Sequence, residues 1–233
     1  VLGADVTVIE MLDRVVPVED ADVSTFLEKS LKKQGMTILT SAKLETIEPG
    51  EASVKVGIKD KDGKLTESEF SHVIAAVGIL PNIENIGLED IGVEPDERFH
   101  IKTDGFGRTN VPGVWAIGDC TAGPWLAHKA SHEGVICIEH IAGLDAHPLD
   151  VTRIPGCTYC RPQIASLGMT EQAAREQGRE VRIGRFPYMA NGKAIAMGET
   201  EGLIKTVFDA RTGELLGAHM IGAEVTELIQ GFA

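Results

Sequence analysis

The sequence predicts an α/β fold, and two features lead to that prediction. A short β-branched run at residues 6–9 precedes an amphipathic helical pattern, which precedes a second strand pattern at Thr37–Leu39. Strand, helix and strand in this order are typical of a βαβ unit with parallel strands. The 233 residues are 43% apolar and 24% charged, which is enough core material for a globular protein.

Each element of the first 80 residues has a local signal. Asp20 and Asp22 offer N-caps for the helix, and Gly35 marks its end. Asp62-Gly63 is typical of a hairpin turn, so an antiparallel hairpin is expected beside the parallel unit. Three further strands are predicted at residues 43–47, residues 54–59 and residues 73–77, the last of them buried.

Beyond Pro81-Asn82 the pattern changes to a loop-rich stretch that extends to about residue 112. Residues 114–117 then predict a short strand that ends in Gly118-Asp119, and residues 126–141 predict a long amphipathic helix. The last third contains strand patterns and two short helical patterns. The strands are expected at residues 164–167, 181–186, 203–209 and 215–221, and the helices at residues 171–177 and after residue 224.

Charge and composition exclude several classes of function. There are 35 Asp and Glu residues against 22 Lys and Arg, a net charge of −13, which makes a poor surface for nucleic acid or an anionic membrane. No apolar run approaches the ~18 residues of a membrane helix. Four cysteines are too few for a disulfide scaffold. No basic-then-apolar leader opens the chain, so a cytoplasmic location is expected, and both ends interrupt a pattern as if the sequence were the interior of a longer protein.

Glu10 ends the first strand pattern. In a dinucleotide-binding fold, an acid at such a strand end hydrogen-bonds the adenosine ribose. It also repels a 2′-phosphate, which favours NAD over NADP. The glycine-rich turn expected about 20 residues earlier would lie before Val1. A solvated acid at a strand end is the alternative interpretation.

Five motifs follow one another in a fixed order. They are IAAVGILPN at 74–82, PGVWAIGD at 112–119, PWLAHKASHEG at 124–134, IPGCTYCRPQIASLG at 154–168 and FPYMANGKAIAMG at 186–198. In this order and spacing they resemble the flavin-dependent pyridine nucleotide–disulfide oxidoreductases, and most closely the dihydrolipoamide dehydrogenases. The resemblance covers essentially the whole chain. It implies the C-terminal part of a Rossmann-like NAD-binding domain at 1–80, the second part of an FAD-binding domain at 81–150 and an incomplete α+β dimerisation domain at 151–233.

The resemblance also implies two cofactor sites. The Asp119 carboxylate would hold a hydroxyl of the FAD ribityl chain, and the N terminus of the following helix would stabilise negative charge on reduced flavin. The implied FAD positions are Asp119, Trp125, Leu126, Ala127 and His128, with His128 as a structural, backbone-contact position. The implied NAD positions are Glu10, Leu44 and Gly78. For Leu44, an ordinary core residue is the alternative.

Cys157 and Cys160 have the spacing of a redox or zinc pair. A zinc site would need two further ligands at similar spacing, and none is paired nearby. The resemblance places the family's redox disulfide upstream of Val1 and its catalytic His-Glu pair downstream of Ala233. We therefore expect no catalytic residue and no metal site in this chain. A redox role for the two cysteines is the alternative.

The activity implied by the resemblance is the oxidation of lipoyl groups on a carrier domain of a 2-oxo-acid dehydrogenase or glycine-cleavage complex. Two electrons would pass through the disulfide and FAD to NAD. A homodimer is expected, with its contact in residues 151–233, around the hairpin at residues 203–221, because nine basic and nine acidic groups make this segment neutral. Another FAD-dependent disulfide reductase of the family and a non-catalytic dimerisation fragment stay open as alternatives.

Overall fold

The computed structural model describes residues 3–233 and confirms the predicted α/β class. Contacts divide the described chain into two compact units, one of residues 3–75 with 155–233 and the other of residues 76–154. The three-part division expected from the resemblance stays a prediction. Among residues 3–233, none of the helices has both the length and the apolar surface that a membrane crossing requires.

The first unit begins with the predicted βαβ element. Strands β1 (Thr7–Ile9) and β2 (Thr37–Leu39) pair in parallel, and helix α1 (Ala21–Lys33) lies between them in sequence. The Asp20 carboxylate caps α1 by accepting a hydrogen bond from the backbone N–H of Asp22, 2.9 Å away. These two acids therefore sit where the sequence predicted the start of the helix.

A three-stranded antiparallel sheet follows β2. It contains β3 (Lys43–Pro49), β4 (Val54–Lys59) and β5 (Leu65–Phe70), in that order. The turn that joins β4 to β5 has Gly63 at a φ of +79°, a conformation in which glycine carries no steric penalty. The hairpin prediction at Asp62-Gly63 is thereby confirmed.

The buried strand predicted at residues 73–77 is wrong. Residues 71–80 form no strand, and the side chains of Ile74 and Val77 are 89% and 97% exposed. The run is apolar and β-branched, but no described residue pairs with its backbone. A strand forms only where a neighbour satisfies its N–H and C=O groups, so composition alone is insufficient here.

The second unit contains one long helix, α2 (Ala127–Ile141), which confirms the predicted helix at residues 126–141. A single turn of 3-10 helix, Gly118–Cys120, precedes it. The strand predicted at residues 114–117 is wrong, because only one isolated bridge, between Arg108 and Trp115, forms there. One bridge gives the run too few hydrogen bonds to make a ladder.

Residues 155–233 form a five-stranded antiparallel sheet in the order β6-β7-β10-β9-β8. Its strands are β6 (Gly156–Thr158), β7 (Gln163–Gly168), β8 (Val181–Pro187), β9 (Leu203–Asp209) and β10 (Leu215–Gly222). Its helices are α3 (Glu171–Glu176), α4 (Gly192–Met197) and α5 (Val225–Leu228). The sequence predicted all of these except β6 and α4.

Helix α1 shares a hydrophobic core with this sheet. Val23 and Leu27 of α1 are buried in one cluster with Ile164 of β7 and Ile221 of β10. Burying an aliphatic side chain of this size contributes about 1.5–3 kcal/mol. The βαβ element and the five-stranded sheet are therefore packed into a single unit, although about 120 residues separate them in the chain.

Candidate cofactor sites

Glu10 lies directly after β1, where the carboxyl ends of the two parallel strands meet. Its backbone N–H donates to the carbonyl of Leu39 (2.9 Å), and its own carbonyl accepts from the N–H of Ala42 (3.0 Å). Its side-chain Oε1 accepts from the N–H of Leu12 (2.8 Å), while Oε2 has no hydrogen bond to a described residue. The carboxylate is thus oriented by one oxygen, and the other can accept from a ligand hydroxyl.

The other two NAD positions have less distinctive surroundings. Leu44 lies in β3 opposite Ile58, and its half-buried side chain packs against a small core cluster, as the core interpretation expects. Gly78 belongs to the second unit and is exposed, with a φ of +114° and open space where a Cβ would lie. Residues with a Cβ rarely adopt this φ, which favours glycine at this position. The NAD roles of both residues stay predictions.

The Gly118-Asp119 turn combines a buried glycine with an exposed carboxylate. Gly118 is buried, with a φ of +76°, and a Cβ at this position would lie 3.2 Å from the Cβ of Ala130. Asp119 is exposed, and its carboxylate accepts no hydrogen bond from residues 3–233. The glycine permits the close turn, and the carboxylate beside it is available to a polyol.

Helix α2 begins beside this turn without a side-chain cap. Leu126 occupies the N-cap position, and its apolar side chain makes no capping hydrogen bond. The first N–H groups of a helix and the helix dipole favour an anion at this end. Trp125 is held just before the helix, because its Nε1 donates to the carbonyl of Thr121 (3.2 Å) and its ring stacks on His100 with centroids 5.4 Å apart.

These features fit a flavin nucleotide, which carries both a polyol chain and a pyrophosphate. Asp119 can accept hydroxyl hydrogen bonds, and the uncapped start of α2 can face negative charge. The structure therefore brings Asp119, Trp125, Leu126, Ala127 and His128 into one stretch that ends in the first turn of a helix. Their contact with FAD stays a prediction.

Two residues beside this stretch were missed by the sequence analysis. Lys129 and Glu133 of α2 form an ion pair (Nζ to Oε1, 2.8 Å), and Glu133 Oε2 also accepts from the N–H of Gly118 (2.8 Å). Lysine and glutamate four residues apart on a helix are a known pairing signal, and this signal could have revealed the pair. Its connection to Gly118 could not be read from spacing.

Cys157 and Cys160 are half-buried thiols, and whether they have a redox role stays a prediction. All four cysteines of the chain are free thiols. Burial raises the pKa of both Cys157 and Cys160, and the nearby Glu19 carboxylate raises each further. A raised pKa disfavours the reactive thiolate. No group of three or more His, Cys, Asp or Glu residues suitable for a metal occurs within residues 3–233.

A second ionic cluster, also missed, surrounds Lys205 of β9. Its Nζ lies 2.8 Å from Asp20 Oδ1, 3.0 Å from Asp22 Oδ2 and 2.9 Å from Glu171 Oε2. Burial alone would raise the pKa of Asp20, but the hydrogen bonds from Lys205 and from the backbone N–H groups of Asp22 and Glu171, together with the charge of Lys205, hold the pKa below its ordinary value. Lys205 and Asp20 are 185 residues apart, so no local pattern reveals the contact.

Comparison with known families tests the resemblance that the five motifs indicated. The family model described as pyridine nucleotide-disulphide oxidoreductase matches residues 1–134, more than half of the chain. The chain belongs to the pyridine nucleotide-disulphide oxidoreductases. The dimerisation domain of the same family matches residues 154–233, which supports a homodimer. The resemblance predicted from the five motifs is confirmed.

Curated relatives of this pyridine nucleotide-disulphide oxidoreductase are dihydrolipoyl dehydrogenases. It is 56% identical over 231 residues to that of Zymomonas mobilis, covering 99% of this chain and 49% of the relative. It is 54% identical to that of Rhizobium etli, covering 99% of this chain and 48% of the relative. The chain therefore spans about half the length of the curated relatives it matches.

Solved structures of the family have the same fold. LpdA from Mycobacterium tuberculosis superposes with a TM-score of 0.88 at 29% identity, covering 99% of this chain and 49% of that one. The HOCl-induced flavoprotein disulfide reductase RclA from Escherichia coli also gives a TM-score of 0.88, at 26% identity, covering 99% of this chain and 52% of that one. The fold is therefore shared by family members with different names.

Proposed function

We propose that the whole protein containing residues 1–233 is an FAD-dependent dihydrolipoyl dehydrogenase that uses NAD. The observation that carries the proposal is the Gly118-Asp119 turn beside the uncapped start of α2, in a chain more than half identical to two dihydrolipoyl dehydrogenases. Bound FAD would supply two-electron redox chemistry. The chain's own residues bind and orient it: Asp119 accepts from the polyol, and the α2 N terminus stabilises negative charge.

Glu10 supports the choice of NAD. Its free Oε2 can accept from a ribose hydroxyl, and a 2′-phosphate at the same place would meet a carboxylate. In the whole protein, Glu10→Gln should weaken NAD binding by roughly ten- to hundredfold, as for the loss of one charged hydrogen bond, and narrow the preference over NADP. KM values for both nucleotides measure this, with Glu28→Gln on α1 as the matched control. Equal turnover with NAD and NADP before any substitution contradicts the proposal.

The proposed partners are a second copy of the chain and a lipoyl-bearing carrier domain. The dimerisation-domain match and the neutral charge of residues 151–233 support the first. The predicted contact around residues 203–221 needs refinement, because most side chains of β10 are buried within their own sheet. Exposed apolar side chains of the same segment, Met189, Ile195 and Leu228, are better placed to meet a partner. Cross-linking of the whole protein should find contacts in this segment rather than in residues 1–150.

A second candidate is another FAD-dependent disulfide reductase, which the equal TM-score of the flavoprotein disulfide reductase RclA favours. Two assays of the purified whole protein distinguish the candidates. A dihydrolipoyl dehydrogenase forms NADH from dihydrolipoamide and NAD, whereas the second candidate consumes reduced nicotinamide nucleotide with a different disulfide and leaves dihydrolipoamide unchanged. A purified polypeptide of 25.0 kDa without bound flavin would instead support a non-catalytic dimerisation fragment.

The proposal assigns no chemistry to Cys157 and Cys160. Replacing both with Ser in the whole protein should leave NADH formation from dihydrolipoamide within about twofold, because their raised pKa values keep the thiols protonated near pH 7. Residues 1–233 expressed alone should form no NADH. Activity of that piece, lost on the double substitution, would show that the cysteines carry the reaction.

A further inference from the structure

The turn that carries Asp119 is fastened to α2 at both ends. At its start, the N–H of Gly118 donates to Glu133 Oε2 (2.8 Å). At its end, Lys129 Nζ donates to the carbonyl of Ala122 (2.9 Å) and to Thr121 Oγ1 (3.3 Å). The Thr121 hydroxyl in turn donates to the Gly118 carbonyl (2.8 Å), which closes the turn on itself.

The ion pair between Lys129 and Glu133 completes this arrangement. Nζ of Lys129 has three polar neighbours, which matches its three hydrogens, and each carboxylate oxygen of Glu133 accepts one hydrogen bond. The Lys129 side chain is only 2% exposed. Burying an ammonium group costs several kcal/mol unless it is paired and hydrogen-bonded, so both side chains are confined to this geometry.

A flavin nucleotide would need the Asp119 carboxylate and the N terminus of α2 at a fixed distance from each other. Asp119 lies between the two fastened ends of the turn, and Lys129 lies two residues after Ala127, the first residue of α2. The same two side chains therefore fix the turn to the first two turns of the helix. A change in either one lets the Asp119 carboxylate move relative to the N terminus of α2.

We propose that Lys129 and Glu133 are positioning residues of the flavin site, which hold Asp119 and the N terminus of α2 in register for one bound nucleotide. This inference rests on the proposed function, because it requires FAD to bind there. The pair is electrically neutral when intact. Removing one member exposes the bound flavin to the uncompensated charge of the other, and reduced flavin is the more negative redox state.

The test uses the whole protein and the substitutions Lys129→Met and Glu133→Gln. Each should weaken FAD retention roughly tenfold, as for the loss of one charged hydrogen bond. Lys129→Met leaves a negative charge and should lower the flavin midpoint potential, whereas Glu133→Gln leaves a positive charge and should raise it. A merely structural role predicts no such opposition of sign. Lys129→Arg, which keeps the charge, should restore the potential and most of the retention.

Lys32→Met on α1 is the matched control, because Lys32 also pairs with a glutamate four residues away, Glu28, but is 52% exposed. It should change neither quantity. The inference would be overturned, with the proposed function unaffected, if Lys129→Met and Glu133→Gln retained FAD as well as this control and had the same flavin potential. Absence of FAD from the unaltered protein would contradict the proposed function, and the inference with it.

Discussion

Lys129 and Lys205 are equally buried, each 2% exposed, yet their surroundings differ. Lys205 meets three carboxylates, and the most distant, Asp20, lies 185 residues away in sequence. Lys129 meets one carboxylate four residues away, a hydroxyl and a carbonyl. The first lysine joins distant segments of a fold, and the second fixes the shape of one turn.

A buried lysine can therefore serve either the whole fold or one local site, depending on where its partners lie in the chain. Three carboxylates around Lys205 bring a β-strand, the start of α1 and the start of α3 to one point. The surroundings of Lys129 are local, so they add little to the joining of distant segments. We therefore expect changes at Lys205 to affect the free energy of unfolding, and changes at Lys129 to affect it less and to weaken cofactor binding as well.

The largest expected effect is that of Lys205→Met. It leaves the buried Asp20 carboxylate without a counter-charge and should reduce the free energy of unfolding by about 3–5 kcal/mol. Urea unfolding followed by circular dichroism measures the loss, with Lys32→Met as the control. If Lys205→Met proves too unstable to purify, Asp22→Asn should give a smaller loss in the same direction, because Asp22 is 36% exposed. A loss no larger than the control's would remove the distinction between the two lysines.

Acid should remove most of the difference in unfolding free energy between the unaltered protein and Lys205→Met. Lys205 lowers the pKa of Glu171 through a hydrogen bond. Burial opposes this effect in Asp20 and Asp22, but the hydrogen bond from Lys205 and the other hydrogen bonds and positive charges around them together keep both pKa values below the ordinary value. Carboxylates whose pKa is lowered by folding stabilise the protein above their ordinary pKa, near 4, and lose that contribution as pH falls through the lower folded value. The gap between the unaltered protein and Lys205→Met should therefore be full at pH 7 and close below about pH 4. A gap that is constant from pH 7 to pH 3 would rule out this origin.

Lys129→Met should cost less free energy of unfolding than Lys205→Met, about 1.5–3 kcal/mol. Only one carboxylate loses its partner, and Glu133 is 23% exposed, so water can replace part of the interaction. The same urea experiment measures this loss beside the flavin assay. Equal losses for the two lysines would mean that the local pair is as important for the fold as the long-range cluster.

The smallest effect is expected from Thr170→Ala. The Thr170 hydroxyl caps α3 by accepting from the N–H of Ala173 (3.1 Å), and this helix begins with Glu171 of the Lys205 cluster. Loss of an N-cap costs about 1 kcal/mol. Thr170→Ser keeps the hydroxyl and should restore stability. Failure of Ser to restore it would mean that the hydroxyl is not what supports α3.

The sequence predicted elements whose partners lie nearby in the chain. The hairpin of β9 and β10 is joined by a short turn, and β9 has the predicted bounds, Leu203–Asp209. Residues 73–77 show the same apolar, β-branched composition but pair with no described strand. Strand β6 was not predicted, because its three residues, Gly, Cys and Thr, include only one β-branched side chain, whereas the equally short β2 has Thr37 and Ile38.

In the candidate sites too, local sequence signals predicted some features and missed those that depend on the three-dimensional fold. Glu10, Gly118 and Asp119 were found from strand ends and turn residues, which are local signals. Two hydrogen bonds were not predicted, the one from the N–H of Leu12 to Glu10 and the one from the N–H of Gly118 to Glu133. They depend on how backbone segments and a helix meet in space. The contact between Lys205 and Asp20 lies entirely beyond local patterns. The sequence thus indicated the candidate residues, whose roles stay predictions, but not the groups that hold them in place.

The sequence separation between Asp20 and Lys205 also fixes how long the first waits for the second during translation. Chains are made at about 5–20 residues per second, so the 185 residues between the two groups take roughly 10–40 s to appear. During that interval Asp20 can cap α1, but the Lys205 ammonium group that pairs with its carboxylate does not yet exist. The apolar face of α1 can meet Val15 and Ile38 early, but its contact with Ile221 of β10 forms only when nearly the whole of residues 1–233 has been synthesised.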